Sequence, residues 1–140
     1  MIPEDDISKL NKLVRDAMGD RVNKPFRPFA VFDSSLDRVV VLNQDCSYTE
    51  IRISRALAIL EKNYPQEGEN KYIGLEIWGI RHFCRTHRMM LSGKTDLKIL
   101  LDYIMAEYPC PDDLKVEMYK ILGEVSSVKL PARPMFNINP

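Results

Sequence analysis

The stretch that decides the fold class is Phe29–Leu42, FAVFDSSLDRVVVL. Two segments rich in apolar residues, Phe29–Phe32 and Arg38–Leu42, flank the polar turn Asp33–Asp37, and this pattern predicts two strands joined by a turn. Val39–Leu42 are apolar at every position, which is typical of a central strand covered on both faces. The stretch therefore predicts a sheet whose middle is buried.

Strands are also predicted further along the chain. From Ser47 to Leu60 apolar residues recur at odd positions, which favours a strand bent near Ser54, although a helix over Ile53–Leu60 fits the spacing as well. Lys71–Trp78 is the most regular strand. One predicted face of it carries Ile73, Leu75 and Ile77, and the other carries Tyr72, Glu76 and Trp78.

Helical periodicity is found before and after this block of strands. Pro3–Met18 predicts an opening helix, and residues 80–125 predict about three helices, one of them capped by Thr95. Strands without helical crossovers pair antiparallel. The expected fold is α+β, as a single domain over residues 1–140 with a helix at 1–20, a mainly antiparallel sheet of about five strands at 29–78, helices at 80–125 and an extended tail at 126–140.

Composition excludes several classes of protein. The 140 residues hold 20 Lys+Arg and 20 Asp+Glu, so the net charge is zero and general nucleic-acid binding, which needs a basic surplus, is disfavoured. The longest purely apolar run has five residues, far too few to span a membrane. An acidic start and three widely spaced cysteines favour reduced thiols in the cytoplasm. No cofactor is expected.

The densest polar cluster in the sequence is Arg81–Arg88, RHFCRTHR. On a helix, Arg81, Arg85 and Arg88 fall within a sector of about 60° with His82 on its flank. Guanidinium groups arranged in this way can bind phosphate or carboxylate, and a solvated helix face is the competing interpretation. We predict that an anionic ligand, if the protein has one, binds at these four residues.

The same octet contains His82, Cys84 and His87, residue types that can bind zinc or supply a nucleophile. His82 points about 160° away from Cys84 on a helix, and no paired cysteines or histidines flank the other thiols. The sequence therefore predicts no metal site. A cysteine–histidine enzyme is less favoured than a binding protein.

Aromatic residues suggest where a partner binds. If the helices cover the face of Ile73, Leu75 and Ile77, then Tyr72 and Trp78 lie on the outer face, where such residues are typical of interfaces. The sequence favours a small, soluble, non-catalytic interaction or regulatory module that is a homo-oligomer or binds another protein. The alternative is a binder of a small phosphate-bearing ligand or nucleic acid through the arginine-rich helix face.

Overall fold

Five antiparallel strands form the main sheet of the protein. The computed structural model describes residues 10–13, 25–88 and 91–131. The strands are β1 (Phe29–Asp33), β2 (Arg38–Leu42), β3 (Tyr48–Arg52), β4 (Leu57–Lys62) and β5 (Tyr72–Trp78), in the spatial order β1-β2-β5-β4-β3. The predicted α+β fold with an antiparallel sheet is confirmed, and the fully buried β2 lies inside the sheet as its apolar run predicts.

The segment Ser47–Leu60 differs from the prediction. It forms no single bent strand and no helix, but the hairpin of β3 and β4. The chain reverses at Ser54, whose Oγ accepts hydrogen bonds from the backbone N–H groups of Ala56 and Leu57, both at 3.2 Å. Side-chain capping of this kind stabilises a turn, which is why the strand ends there.

The C-terminal part contains three helices and a small second sheet. The elements are α1 (Ile80–His87), β6 (Gly93–Asp96), α2 (Leu97–Glu107), α3 (Asp112–Leu122) and β7 (Ser127–Leu130), with β6 and β7 paired antiparallel. The predicted cap at Thr95 is wrong, because Thr95 lies in β6 and Asp96 caps α2 by accepting a hydrogen bond from the Ile99 N–H. Strand β6 also interrupts the predicted helical block, and the predicted tail begins with β7.

The N-terminal helix and the C-terminal tail lie mostly outside the described residues. Of the predicted helix over residues 1–20, the structure describes residues 10–13, which are helical. Of the tail, Pro131 is the last described residue. Leu10 packs against the apolar residues on one face of the main sheet, so the described helical turn lies over that face.

The two faces of the sheet bury different clusters. The main core joins one face to the helices and includes Val39, Val41, Leu57, Ile59, Leu75, Ile77, Phe83, Leu100, Leu101, Ile104, Met118 and Ile121. The second face carries a smaller apolar cluster of Val40, Leu42, Leu60 and Ile73, against which Leu10, Phe26 and Phe29 pack. The sheet is therefore covered on both sides over part of its area.

A register shift in β5 changes which face two residues occupy. Leu60 pairs with Gly74 but Glu61 pairs with Tyr72, so Ile73 is an extra residue in this strand. Ile73 joins the second cluster and Tyr72 packs against the main core. The predicted common face of Ile73, Leu75 and Ile77 is therefore wrong at Ile73.

The turn between β1 and β2 holds the start of α1. Asp37, at φ 52°, accepts hydrogen bonds at its carbonyl oxygen from the N–H groups of Gly79 at 2.8 Å and Ile80 at 3.4 Å. Its carboxylate accepts the N–H of Arg81 at 2.9 and 3.1 Å. These donors are the ones a helix start leaves without intrahelical partners, so Asp37 caps α1 from another part of the chain.

Candidate interaction site on the sheet face

A cluster of charged residues surrounds the tryptophan at one end of the second sheet face. We call it the Trp78 cluster, and its members are Asp33, Arg38, Glu50, Arg52, Glu76 and Trp78. Residues opposite each other in a sheet point to the same side. Arg38 lies opposite both Asp33 and Trp78. Four strands thus contribute to one surface.

A small residue on β4 lets side chains of the outer strand β3 extend towards Glu76. Ala58 of β4 lies opposite Arg52 on one side and Glu76 on the other. A methyl group leaves the space above β4 open, so side chains of β3 reach across it. The Arg52 guanidinium lies 4.6 Å from the centre of the Trp78 ring, two strands away.

Arg38 pairs with two buried carboxylates. Its Nε lies 3.2 Å from Asp33 Oδ2 and its Nη1 lies 2.6 Å from Glu76 Oε2. Arg38 is 8% exposed and Glu76 3%. Burial acts to raise the pKa of Asp33, but hydrogen bonds from Ser35, Arg38 and Leu36 together lower it. Asp33 is therefore a fixed negative charge that orients Arg38.

Trp78 is half-buried between two guanidinium groups. The Arg38 Cζ lies 5.0 Å from the ring centre, and Arg52 covers the ring at the distance given above. Arg52 also pairs with Glu50 at 3.3 Å, and the side chains of these two residues are 47% and 34% exposed. The indole N–H is buried and has no hydrogen-bond partner among the described residues. The ring is thus held in place, with Arg38 buried beside it and Arg52 and Glu50 in contact with solvent.

The surroundings of Glu76 favour the protonated form of its carboxyl group. Burial, followed by the negative charge of Glu50, raises its pKa to about 7, although Arg38 acts in the opposite direction. Its Oε1 and the Trp78 indole nitrogen are both buried without a hydrogen bond to a described residue, yet the Trp78 side chain acts, like Arg38, to lower the pKa of Glu76. The charge of Glu76 also contributes, after burial, to the raised pKa of Tyr48.

Tyr72 and Trp78 do not form the predicted pair. Tyr72 packs against the main core with Lys71 5.4 Å above its ring, whereas Trp78 lies beside Arg38 on the second face. The prediction that they share a face is wrong. The extra residue in β5 reverses the alternation of side chains between the two faces for the residues that precede Gly74. The structure leaves Trp78 as the aromatic member of a candidate interface.

The predicted arginine stripe is only partly assembled. Arg88 ends α1 at φ 52° and so leaves the helical spacing on which the prediction depends. Arg81 lies 5.5 Å over the Phe32 ring, with its Nε buried and unpartnered among the described residues. Arg85 and His82 are exposed on α1, as is Arg88 at its end. The four residues are therefore distributed along α1, from Arg81 and His82 in its first turn to Arg88 just beyond its last residue.

The cysteine and histidine residues of α1 point in different directions. Cys84 is buried in the main core, and burial followed by the charge of Asp37 raises its pKa to about 11. His82 is exposed, and His87 stacks on Phe83 with ring centres 4.4 Å apart. Within residues 10–13, 25–88 and 91–131, no three His, Cys, Asp or Glu side chains are grouped as a metal site requires. A buried thiol with a raised pKa is a poor nucleophile.

A pocket of about 250 Å³ lies between β6 and α2. Its apolar walls include Leu91, Ile99 and Tyr103, and none of the residues predicted as a site lines it. Thr95, the buried polar side chain in its wall, donates a hydrogen bond to the Gly93 carbonyl oxygen. The described residues of the pocket thus offer a ligand no buried polar atom without a partner, whereas the Trp78 cluster has two, Trp78 Nε1 and Glu76 Oε1.

Comparison with known proteins adds no information about function. No protein-family model, curated protein or solved structure matches this chain. Among the described residues, no helix is long and apolar enough to cross a membrane.

Proposed function

We propose that this protein is a non-catalytic interaction module that self-associates through the Trp78 cluster. The observation that supports the proposal is a half-buried tryptophan held between two arginines on a sheet. Tryptophan and arginine are the residues most enriched at energetic centres of interfaces, and a rigid sheet keeps them in place before binding.

Charge complementarity favours a second copy of the chain as the partner. The exposed rim of the cluster carries one positive residue, Arg52, beside one negative residue, Glu50. In a two-fold symmetric dimer the same patch faces itself, so Arg52 of each chain can pair with Glu50 of the other. A net charge of zero opposes such contact less than a large net charge of one sign does.

A binding role fits this site better than catalysis. Glu76, whose pKa lies near neutrality, is almost fully buried, so a substrate has no access to it in this conformation. Its partner Arg38 is equally enclosed. The exposed groups are Arg52, Glu50 and the edge of Trp78, which are suited to contact with another surface.

The test is the molar mass in solution, measured by light scattering across a range of concentrations. Trp78→Glu is expected to dissociate the oligomer, because losing an interface centre costs about 2 kcal/mol or more, roughly thirtyfold in Kd. Tyr64→Glu is the matched control, since Tyr64 is 94% exposed on the β4–β5 turn. A monomeric wild type, or equal masses for the two variants, contradicts the proposal.

Charge exchange tests the two-fold pairing separately. Arg52→Glu alone places like charges across the symmetric contact and is expected to weaken the oligomer. The double variant Glu50→Arg, Arg52→Glu restores opposite charges and should recover association. A double variant that associates no better than Arg52→Glu shows that these residues do not pair across the interface.

An anionic ligand at α1 is the second candidate function. Arg85, Arg88 and His82 are exposed and form no ion pair with the described residues. Arg85→Ala should abolish thermal stabilisation by nucleotides or short oligonucleotides, while Arg27→Ala, an exposed arginine outside α1, should retain it. This candidate is rejected if the ligands stabilise both variants equally, or if they do not stabilise the wild type.

A further inference from the structure

Strand β3 forms one edge of the main sheet, and no described strand lies on its outer side. Its odd-numbered residues direct their backbone groups towards β4, as the Ile53 N–H does by donating to the Leu57 carbonyl oxygen at 2.9 Å. Backbone groups alternate in direction along an antiparallel strand, so those of Tyr48, Glu50 and Arg52 point outwards. An edge of this kind offers its N–H and C=O groups to a further strand.

The two edges of the main sheet differ in how open they are. At the other edge β7 lies beside β1, and every residue of β1 is buried or half-buried. Along β3 the side chains of Thr49, Glu50 and Arg52 are exposed, and the register with β4 contains no bulge. The strand also contains no proline or lysine, residues that commonly prevent an edge from pairing. Of the two edges, β3 is therefore the one at which a further strand can be added.

Opposite charges on β3 favour one register for the pairing of two copies. In an antiparallel pair with a two-fold axis, outward-facing residues lie opposite outward-facing residues, so the axis passes through a residue of the strand. An axis at Glu50 or at Arg52 places like charges opposite each other, which is destabilising. An axis at Thr49 places Glu50 opposite Tyr48. An axis at Ile51 places Glu50 opposite Arg52 of the second copy on both sides, and of these registers it alone joins opposite charges.

The other face of β3 supports the same register. Ile51 and Ile53 lie on the opposite side of the strand from Glu50 and Arg52, and they pack against the main core while remaining half-buried. With the axis at Ile51, the two copies of this residue lie opposite each other, and Ile53 lies opposite Thr49. Pairing then removes more of their apolar surface from water, which favours association. One register therefore joins charges on one face and apolar groups on the other.

We propose that the open edge of β3 pairs antiparallel with the same edge of a second copy, so that two five-stranded sheets become one continuous sheet. The inference rests on the proposed self-association and specifies its geometry. Each opposed Glu50 and Arg52 exchange both of their N–H···O=C bonds, because both residues direct these groups outwards. The two Trp78 clusters lie on the same face of the joined sheet, and each Trp78 holds the guanidinium group that reaches across the axis.

A cysteine at the axis tests the register directly. In the proposed pairing the two copies of Ile51 form a non-hydrogen-bonded pair with Cα atoms about 4.5 Å apart, which suits a disulfide. Ile51→Cys, made together with Cys46→Ser and Cys110→Ser, should give a disulfide-linked dimer in oxidised glutathione, measured by non-reducing electrophoresis. Thr49→Cys in the same background is the matched control. Its two copies lie about 14 Å apart along the strands, so it should stay unlinked.

Loss of one outward N–H separates backbone pairing from charge pairing. Glu50→Pro removes an N–H that the β3–β4 ladder does not use, and proline is tolerated at such edge positions. Glu50→Ala removes the same charge and keeps the N–H. We expect Glu50→Pro to raise the Kd at least about tenfold above that of Glu50→Ala, because each chain loses one backbone hydrogen bond and leaves a carbonyl oxygen unpaired. Light scattering measures both constants, and circular dichroism checks the folding of the variants.

The outcomes separate this inference from the proposed function. If Trp78→Glu dissociates the oligomer but Ile51→Cys links no better than Thr49→Cys, the edge pairing is overturned and self-association through the Trp78 cluster stands. Equal constants for Glu50→Pro and Glu50→Ala overturn it too, as does a Glu50→Pro chain that fails to fold, since its N–H is then needed within the chain. A monomeric wild type overturns both proposals. If Ile51→Cys alone links while Trp78→Glu leaves the mass unchanged, the edge pairing stands and the role of Trp78 falls.

Discussion

Replacing Arg38 by methionine tests the electrostatics of the sheet face most directly. Arg38 forms ion pairs with two carboxylates that are almost fully buried, at 3.2 and 2.6 Å. Removing one partner of a buried ion pair typically costs about 3–5 kcal/mol, since it leaves an uncompensated charge. Asp33 keeps its hydrogen bonds from Ser35 and Leu36, whereas Glu76 loses the Arg38 donor to its Oε2. We therefore expect Arg38→Met to lower the free energy of unfolding by about 3–5 kcal/mol at pH 8.

The size of this loss depends on pH, and the raised pKa of Glu76 determines whether it grows or shrinks as the pH rises. Its pKa is raised from 4.5 to about 7, so the folded state holds the proton more tightly than the unfolded chain does. The contribution of Glu76 to stability is therefore greatest below pH 4.5 and falls as the pH rises to about 7, by about 3 kcal/mol at 1.4 kcal/mol per pKa unit. Without Arg38 the carboxyl group is still harder to ionise, so Arg38→Met should cost less at pH 5.5 than at pH 8.

Urea unfolding at the two pH values measures both effects. Arg52→Met is the matched control, because Arg52 lies on the other side of Trp78 but is half-exposed, and its loss should cost less than about 1 kcal/mol. Equal losses for the two variants refute the argument. So does an Arg38→Met loss that is larger at pH 5.5 than at pH 8.

Three further predictions concern the scaffold. Gly74→Ala should destabilise the fold by about 2–3 kcal/mol in urea unfolding, because the new Cβ would lie 2.3 Å from the Val41 carbonyl oxygen; a loss below about 0.5 kcal/mol contradicts this. Asp96→Ala should cost about 1 kcal/mol by removing the hydrogen bond from the Ile99 N–H, whereas Asp96→Asn should cost much less, and equal losses argue against capping. Cys84 should be alkylated more slowly than Cys46 and Cys110 at pH 8, because it is buried and burial raises its pKa to about 11. Peptide mass mapping measures the three rates, and a rate for Cys84 equal to those of the other two thiols refutes its enclosure.

Local patterns predict most of the fold. Val39–Leu42 are buried because β1 and β5 flank them and apolar clusters cover both faces, as this continuous apolar run indicates. The turn at Ser54 was not predicted, because apolar residues at odd positions continue through it and conceal the reversal of the chain. The extra residue in β5 was missed because strict alternation predicts no irregularity, although Gly74 within a strand is a known signal of one.

The site was less accessible to sequence reasoning. Asp33 was interpreted as a turn residue, yet five-residue strands joined by a short turn place it opposite Arg38, and this pairing could have been found from the hairpin alone. The approach of Arg52 to Trp78 could not have been predicted in this way. It depends on the strand order, in which β4 lies between β3 and β5, and local periodicity contains no information about that order.

The attachment of Asp37 to the start of α1 has a consequence for protein engineering. The turn Ser34–Asp37 is short, polar and on the surface, features that usually identify a good place to insert a tag or open a circular permutant. Yet its last residue supplies the backbone and carboxylate acceptors for Gly79, Ile80 and Arg81, more than 40 positions away. An insertion there would displace the first turn of a helix as well as lengthen a loop. The β4–β5 turn around Tyr64 is the better entry point, since that side chain extends into solvent.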